Sequence, residues 1–177
     1  MVGVELDATT ASIAAALSPS AQIRAEGFEK TSVPQGSFTA AIGNVPFGDY
    51  RLYDPVHNQA KHSIHNHFIL KSLRLTRPGG IVAVLTSHFT LDQANPAARR
   101  EMAMYGDLLG AVRLPTGAHK RTAGTEAVTD LLIFRRRDPN EPAPSDRLWE
   151  GVTAHTIDGA TMKINTYFDR RPENVLG

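Results

Sequence analysis

The chain has no cysteine among its 177 residues, which excludes disulfides and thiolate-held metal sites and suits a reducing compartment. It also has almost no net charge. With 19 Lys and Arg against 18 Asp and Glu, no global field drives it onto nucleic acid or an anionic membrane, so any nucleic-acid contact must be local. No apolar run reaches the length of a membrane span, and the first residues lack the basic-then-apolar plan of a secretory signal. The expectation is a soluble, cytoplasmic protein with no membrane partner. The length suits one domain with a real core and is short for two. Repeats and low-complexity tracts are lacking, apart from the polar, proline-rich residues 138–145, which read as a linker or loop.

What is present centres on Asn44-Val45-Pro46-Phe47. The apolar run 38–43 precedes it and Gly48-Asp49-Tyr50 follows, so it reads as a strand ending in a loop. The four residues offer a side-chain amide, a backbone carbonyl before a proline, a stiff turn and an aromatic face, which suit a flat ring bearing an amine. Taken alone, the same residues also make an ordinary turn.

Two earlier stretches repeat the plan of a strand that ends in a polar loop. Residues 1–7 read as a strand ending at Glu5 and Asp7, then a helix over 11–17 capped by Thr9 or Thr10 and stopped by Ser18-Pro19. A carboxylate at a strand end can accept two hydrogen bonds from ribose hydroxyls; at a helix N-terminus it is also simply favoured by the dipole. Residues 21–25 form a short strand before Glu26-Gly27-Phe28-Glu29, where an acid, a glycine and an aromatic could hold an adenine or make a surface turn. Parallel α/β sheets gather their sites at the carboxyl ends of strands, so the three loops would converge on one crevice.

Downstream, residues 51–62 read as a long exposed loop beside that crevice. Ser63 begins a helix carrying Ile64, Phe68, Ile69 and Leu73 and ending near residues 77–80. His62, His65 and His67 do not read as a metal site, since no His-Glu-x-x-His pattern is present and residues 65 and 67 lie on different helix faces. Residues 80–87 are a buried strand for the sheet centre, and 96–104 a helix. Residues 108–115 and 128–135 are strands joined too tightly for a helical crossover, hence an antiparallel edge pair. The basic clusters 119–121 and 135–137 read as solvated. Trp149, Tyr167 and Phe168 suggest a tail that folds back.

Taken together, these features resemble the S-adenosylmethionine-dependent adenine-N6 DNA methyltransferases, whose loop reads Asn/Asp/Ser-Pro-Pro-Tyr/Phe/Trp. With Ser63-Ile64-His65, Lys71-Ser72-Leu73, Arg77-Pro78-Gly79-Gly80, Thr86-Ser87, Arg113-Leu114-Pro115 and Gly124-Thr125-Glu126, the run 43–50 is similar to the methyltransferase part of large helicase-methyltransferase polypeptides of phages and mobile elements. The resemblance implies a Rossmann-like class I methyltransferase fold, a mostly parallel sheet with an antiparallel edge hairpin. Residues 1–137 would be a partial catalytic domain lacking the first strand and its Gly-rich loop, and 138–177 a Pro-rich loop and extension. Asn44 and the Val45 carbonyl would accept hydrogen bonds from the amine of a flipped-out DNA adenine, Pro46 would keep Val45 extended, and Phe47 would stack on the base. Glu5 would hold the cofactor ribose, and Glu26, Gly27 and Phe28 its adenine; no metal is required. The implied partners are DNA and the rest of a larger polypeptide with a helicase domain. Two other readings stay open: a protein-glutamine or RNA amino-methyltransferase, and a non-catalytic DNA-binding or assembly module.

Overall fold

The computed structural model describes residues 1–119, 127–157 and 159–176. Strand β1 (Val2–Glu5) leads into helix α1 (Ala8–Leu17), then β2 (Gln22–Ala25), which lies parallel to β1. The cap of α1 is Asp7 rather than Thr9 or Thr10. Its carboxylate accepts both the amide and the hydroxyl of Thr10, each at 2.7 Å, a charged acceptor for the orphan donors of the first turn.

Strand β3 (Phe38–Asn44), helix α2 (Ile64–Leu75) and strand β4 (Thr76–Ser87) form a parallel crossover. Helices α3 (Phe89–Asp92) and α4 (Ala97–Tyr105) follow, then β5 (Gly106–Arg113) and β6 (Thr129–Arg136). The sheet order is β3-β4-β6-β5, and β6 runs antiparallel to both neighbours. Three strands of this sheet therefore share one direction and β6 alone is reversed, as expected for a mostly parallel sheet with an antiparallel edge pair. β4 sits inside the sheet, with Val82 and Val84 essentially inaccessible. It begins at Thr76, earlier than its apolar run, because residues 77–80 form an irregularity where the register jumps from Phe38↔Thr76 to Ala40↔Ile81. Two glycines permit this: Gly79 has φ +75°, and a Cβ on Gly80 would lie 2.4 Å from the Thr39 carbonyl oxygen.

The tail adds elements that hydropathy did not disclose, a hairpin of β7 (Val152–Ile157) and β8 (Ala160–Asn165) and the short helix α5 (Thr166–Arg170). The hairpin is largely exposed and polar, so it carries little burial pattern. It does fold back. Trp149, Tyr167 and Phe168 join the core of Ile69, Leu70, Leu73, Leu132 and Phe134. The fully buried Asn165 amide donates to the Leu91 and Trp149 carbonyls at 2.7 and 2.9 Å.

The basic cluster 135–137 is not simply solvated. Arg137 is buried against Asp107, and Arg135 bonds Asp107 at 2.9 Å and Glu141 at 2.7 Å. Residues 120–126, including Lys120-Arg121 and Gly124-Thr125-Glu126, lie outside the described residues. Arg113 ties β5, β6 and α3 together through a bidentate pair with Asp130 at 2.9 Å and a 2.9 Å contact to Asp92, and it lies 4.4 Å over the Phe168 ring. All three charged groups are buried, so removing the cation strands two carboxylates. Arg113→Ala should lower the unfolding free energy by about 3–5 kcal/mol, read from chemical denaturation midpoints; a loss below about 1 kcal/mol, the range of exposed pairs, would contradict the burial.

Candidate active site

Asn44 ends β3, and the ladder continues one residue further, since the Val45 amide donates to the Leu85 carbonyl at 3.0 Å. Val45 is buried in the core, anchoring the loop, whereas Asn44 is exposed and its side-chain amide has no hydrogen bond among the described residues. Pro46 is half-buried and Phe47 exposed. Tyr50, Tyr53 and Phe89 are exposed aromatics, and Phe89 packs against His88 with ring centroids 4.1 Å apart.

Residues 51–62 are not the simple exposed loop their polarity suggests. Asp54, His57 and Asn58 are buried. The Asp54 carboxylate accepts the amides of Val56 (3.1 Å) and His57 (3.0 Å), His67 Nε2 (3.0 Å) and Lys71 Nζ (3.0 Å), with His57 Nδ1 at 3.3 Å. Asn58 closes the loop, accepting from the His62 amide at 2.8 Å and donating to the His62 carbonyl at 3.1 Å. His62 Nε2 reaches Glu101 at 2.8 Å and His65 Nε2 reaches Ser63 at 3.0 Å. The three neighbouring histidines thus have three separate partners, and no cluster of three or more metal-type ligands occurs among the described residues.

Burial pushes the Asp54 carboxyl up, but the bonds from Lys71, the His57 amide and His67, with the Lys71 charge, outweigh it and hold the group well below the usual carboxylate range. His67 and His57 are pushed down chiefly by burial, against the pull of Asp54. Burial also lowers His65, against the Asp49 charge and the Gly48 backbone. The centre is therefore a carboxylate–ammonium pair with neutral imidazole donors.

At the other strand ends, Glu5 and the Glu26-Gly27-Phe28 turn meet directly, the Glu26 amide donating to the Glu5 carbonyl at 3.0 Å. Glu5 Oε1 accepts the Asp7 amide at 3.0 Å, and Glu26 Oε1 accepts the Thr31 hydroxyl at 3.0 Å. The second oxygen of each carboxylate has no hydrogen bond among the described residues. Gly27 is buried at the start of a 3-10 turn, Phe28–Lys30. The Phe28 ring packs on Phe68 at 4.8 Å and beneath Lys71. Phe28, Asn44, Val45 and residues 1–4 line one cleft of about 420 Å³, and Glu5, Glu26 and Phe47 are not among its lining residues.

Lys71 joins the two sides. Fully buried, it bonds Asp54 in the loop that follows Phe47 and, at 3.1 Å, the carbonyl of Glu29 next to Phe28. The sequence assigns no role to Asp54, and Lys71 enters only through the Lys71-Ser72-Leu73 match. The available signal was the spacing of His67 and Lys71, four apart on one face of α2.

No protein-family model matches the chain. A protein of Listeria monocytogenes described as a class I S-adenosylmethionine-dependent methyltransferase superposes with a TM-score of 0.63 at 23% identity, over 82% of this chain and 47% of that one. The chain has the class I methyltransferase fold. With that fold, a protein described as the modification subunit of a type I restriction enzyme from Vibrio vulnificus superposes over 97% of the chain and 40% of its own length, with a TM-score of 0.65 and 17% identity. In sequence, the chain is 29% identical over 173 residues to the "Defense against restriction protein B" of Escherichia phage P1, covering 94% of this chain and 7% of that protein.

The three depressed histidines set a pH dependence. Their folded values lie below the ordinary 6.5, so the unfolded chain takes up protons first as pH falls. Their contribution is fully present above about 6.5 and is lost below it, and Asp54 adds loss in the same direction below about 3.9. Urea unfolding should give a free energy that is level from pH 7 to 8 and declines from pH 6.5 to 5, with a shallower decline in His67→Gln. A level profile down to pH 5 would contradict the buried neutral imidazoles.

Proposed function

We propose that this chain is the catalytic portion of an S-adenosylmethionine-dependent methyltransferase acting on the N6 amine of adenine in DNA. The observation that carries this reading is the exposed Asn44 amide at the carboxyl end of β3, without a hydrogen bond among the described residues, fixed by buried Val45, flanked by Phe47, and sharing a cleft with Phe28. The class I fold and the sequence likeness to a phage protein named for defence against restriction support it.

The residues present suit the ribose and adenine end of the cofactor. Glu5 and Glu26 each keep a carboxylate oxygen without a hydrogen bond among the described residues, where ribose hydroxyls and an exocyclic amine would need acceptors. Phe28 presents an aromatic surface to the cleft. Bound there, S-adenosylmethionine supplies an activated sulfonium methyl group. The Asn44 side-chain oxygen and the Val45 carbonyl would accept hydrogen bonds from the two N–H groups of the target amine and so orient its lone pair. Phe47 stacks on the base once it leaves the duplex, a step needed because the stacked duplex shields the amine. Catalysis by this arrangement is positioning and electrostatics.

The chain spans a small fraction of the phage protein it matches. We place it accordingly within a larger polypeptide that also carries a helicase domain and DNA-recognition elements, with weak cofactor affinity for residues 1–177 alone. Transfer to RNA or to protein glutamine, or a non-catalytic role, predicts different label patterns. Supplied with labelled S-adenosylmethionine, the complete polypeptide should label adenine in duplex DNA, and Asn44→Ala should reduce the rate by about 10²–10³-fold, as for loss of one preorganised polar contact. Label in RNA or protein instead, no label at all, or label in DNA unchanged by Asn44→Ala would overturn the proposal.

A further inference from the structure

A second cavity, of about 180 Å³, lies apart from the candidate site, and none of its lining residues lines the cleft holding Phe28 and Asn44. Three stretches far apart in sequence form most of its wall: the end of α4 with the first residues of β5, residues 144–149, and Tyr167 with Arg171 at the end of α5. Its apolar side is Leu108, Leu109, Leu148 and Trp149. Leu109 stands there because the β5–β6 register slips between Leu108 and Gly110, which leaves it without a partner in β6 and 57% exposed. Bulges of this kind re-aim a side chain.

The polar side of the cavity has donors in excess. Arg137, Arg147 and Arg171 line it against Asp107 and Asp146, three cations to two anions. Both Asp107 oxygens are taken, one by Arg137 and the other by Arg135, and Asp146 accepts the Leu148 amide at 3.1 Å. Arg147 reaches Glu150 at 3.2 Å with one nitrogen. The Arg171 guanidinium lies 4.8 Å over the Tyr167 ring and has no hydrogen bond or ion pair among the described residues. A half-buried guanidinium on an aromatic face offers a rigid fork of N–H donors to a planar anion.

We propose that this cavity binds a small monocarboxylate with an apolar body. The carboxylate would take the bidentate place on Arg171, and the body would lie against Leu108, Leu109 and Trp149. One surplus cation in the lining matches one negative charge, whereas a phosphate monoester would bring two toward Asp107 and Asp146. The volume falls below the roughly 300–1,000 Å³ of pockets for drug-sized ligands, so the body is a few carbons long. A free short-chain acid and the terminal carboxylate of a peptide ending in an apolar residue both present this chemistry. The site is separate from the cleft, so the proposal holds whether or not the chain transfers a methyl group.

Calorimetric titration of the complete polypeptide with hexanoate and with N-acetyl-alanyl-leucine tests it, with amide exchange locating the bound probe. The expected result is saturable binding at about millimolar affinity or tighter, the range open to so few atoms, with slower exchange at residues 106–110 and 146–149. The tighter of the two probes identifies the source of the carboxylate. Arg171→Gln should weaken binding at least about tenfold, as for loss of a hydrogen bond to a charged group, and Leu109→Asp should weaken it by a similar factor through repulsion. Should Arg171→Gln fail to fold, Leu109→Asp, at an exposed position, decides. No saturable binding of either probe, equal binding of hexylamine, slowed exchange only at other residues, or unchanged affinity in either folded variant would overturn the proposal.

Discussion

A single buried carboxylate, Asp54, organises the region around the candidate site. An ionised group inside a protein is tolerated only when its lone pairs are satisfied, and Asp54 meets that requirement with two backbone amides, two imidazoles and one ammonium. Those donors come from the loop itself and from α2. The same carboxylate therefore fixes the segment that follows Phe47 and, through Lys71 and the Glu29 carbonyl, the turn that carries Phe28. A pair of loops far apart in sequence shares one electrostatic anchor, and a shift of either one must disturb the other.

The sheet imposes the second constraint. Because β3 and β4 are parallel, the loop beginning at Asn44 emerges at the carboxyl edge, the end at which α/β sheets place their ligands. β1 and β2 form a separate parallel pair, with Glu5 and Glu26 at their ends. The two halves of the candidate site thus sit on two small sheets, bridged by Phe28 against Phe68 and by Lys71 rather than by strand pairing. Such a bridge positions the halves, while the open edges between them leave the cleft unwalled. Arg113 over the Phe168 ring and Asn165 bonded to Asp92 hold the tail to β5 and α3.

Much of this was legible from residue order. The apolar runs of β3 and β4, the polar loops at three strand ends and the tight connection before β6 are read from the residues themselves, while the class I architecture comes from the family resemblance. The loop over 51–62 is largely exposed as expected, but its three buried residues were missed for a physical reason. Hydropathy equates polar with exposed, whereas His57 and Lys71 bond the buried Asp54 carboxylate and Asn58 bonds the loop backbone. The same applies to Arg135 and Arg137, whose apparent basic patch is consumed by Asp107 and Glu141. The α1 cap was misplaced by choosing threonine where an aspartate stood two residues earlier. The β7–β8 hairpin escaped notice because its side chains face solvent and leave no apolar periodicity.

The central claim, that one crevice between the two small sheets takes both a nucleoside cofactor and a target amine, is tested most directly by photo-cross-linking labelled S-adenosylmethionine to the complete polypeptide and mapping the label. The account predicts label in the peptide spanning residues 26–31, lost when unlabelled S-adenosylhomocysteine competes. Competed label confined to peptides that contain neither Glu5, Phe28 nor Asn44 would contradict it.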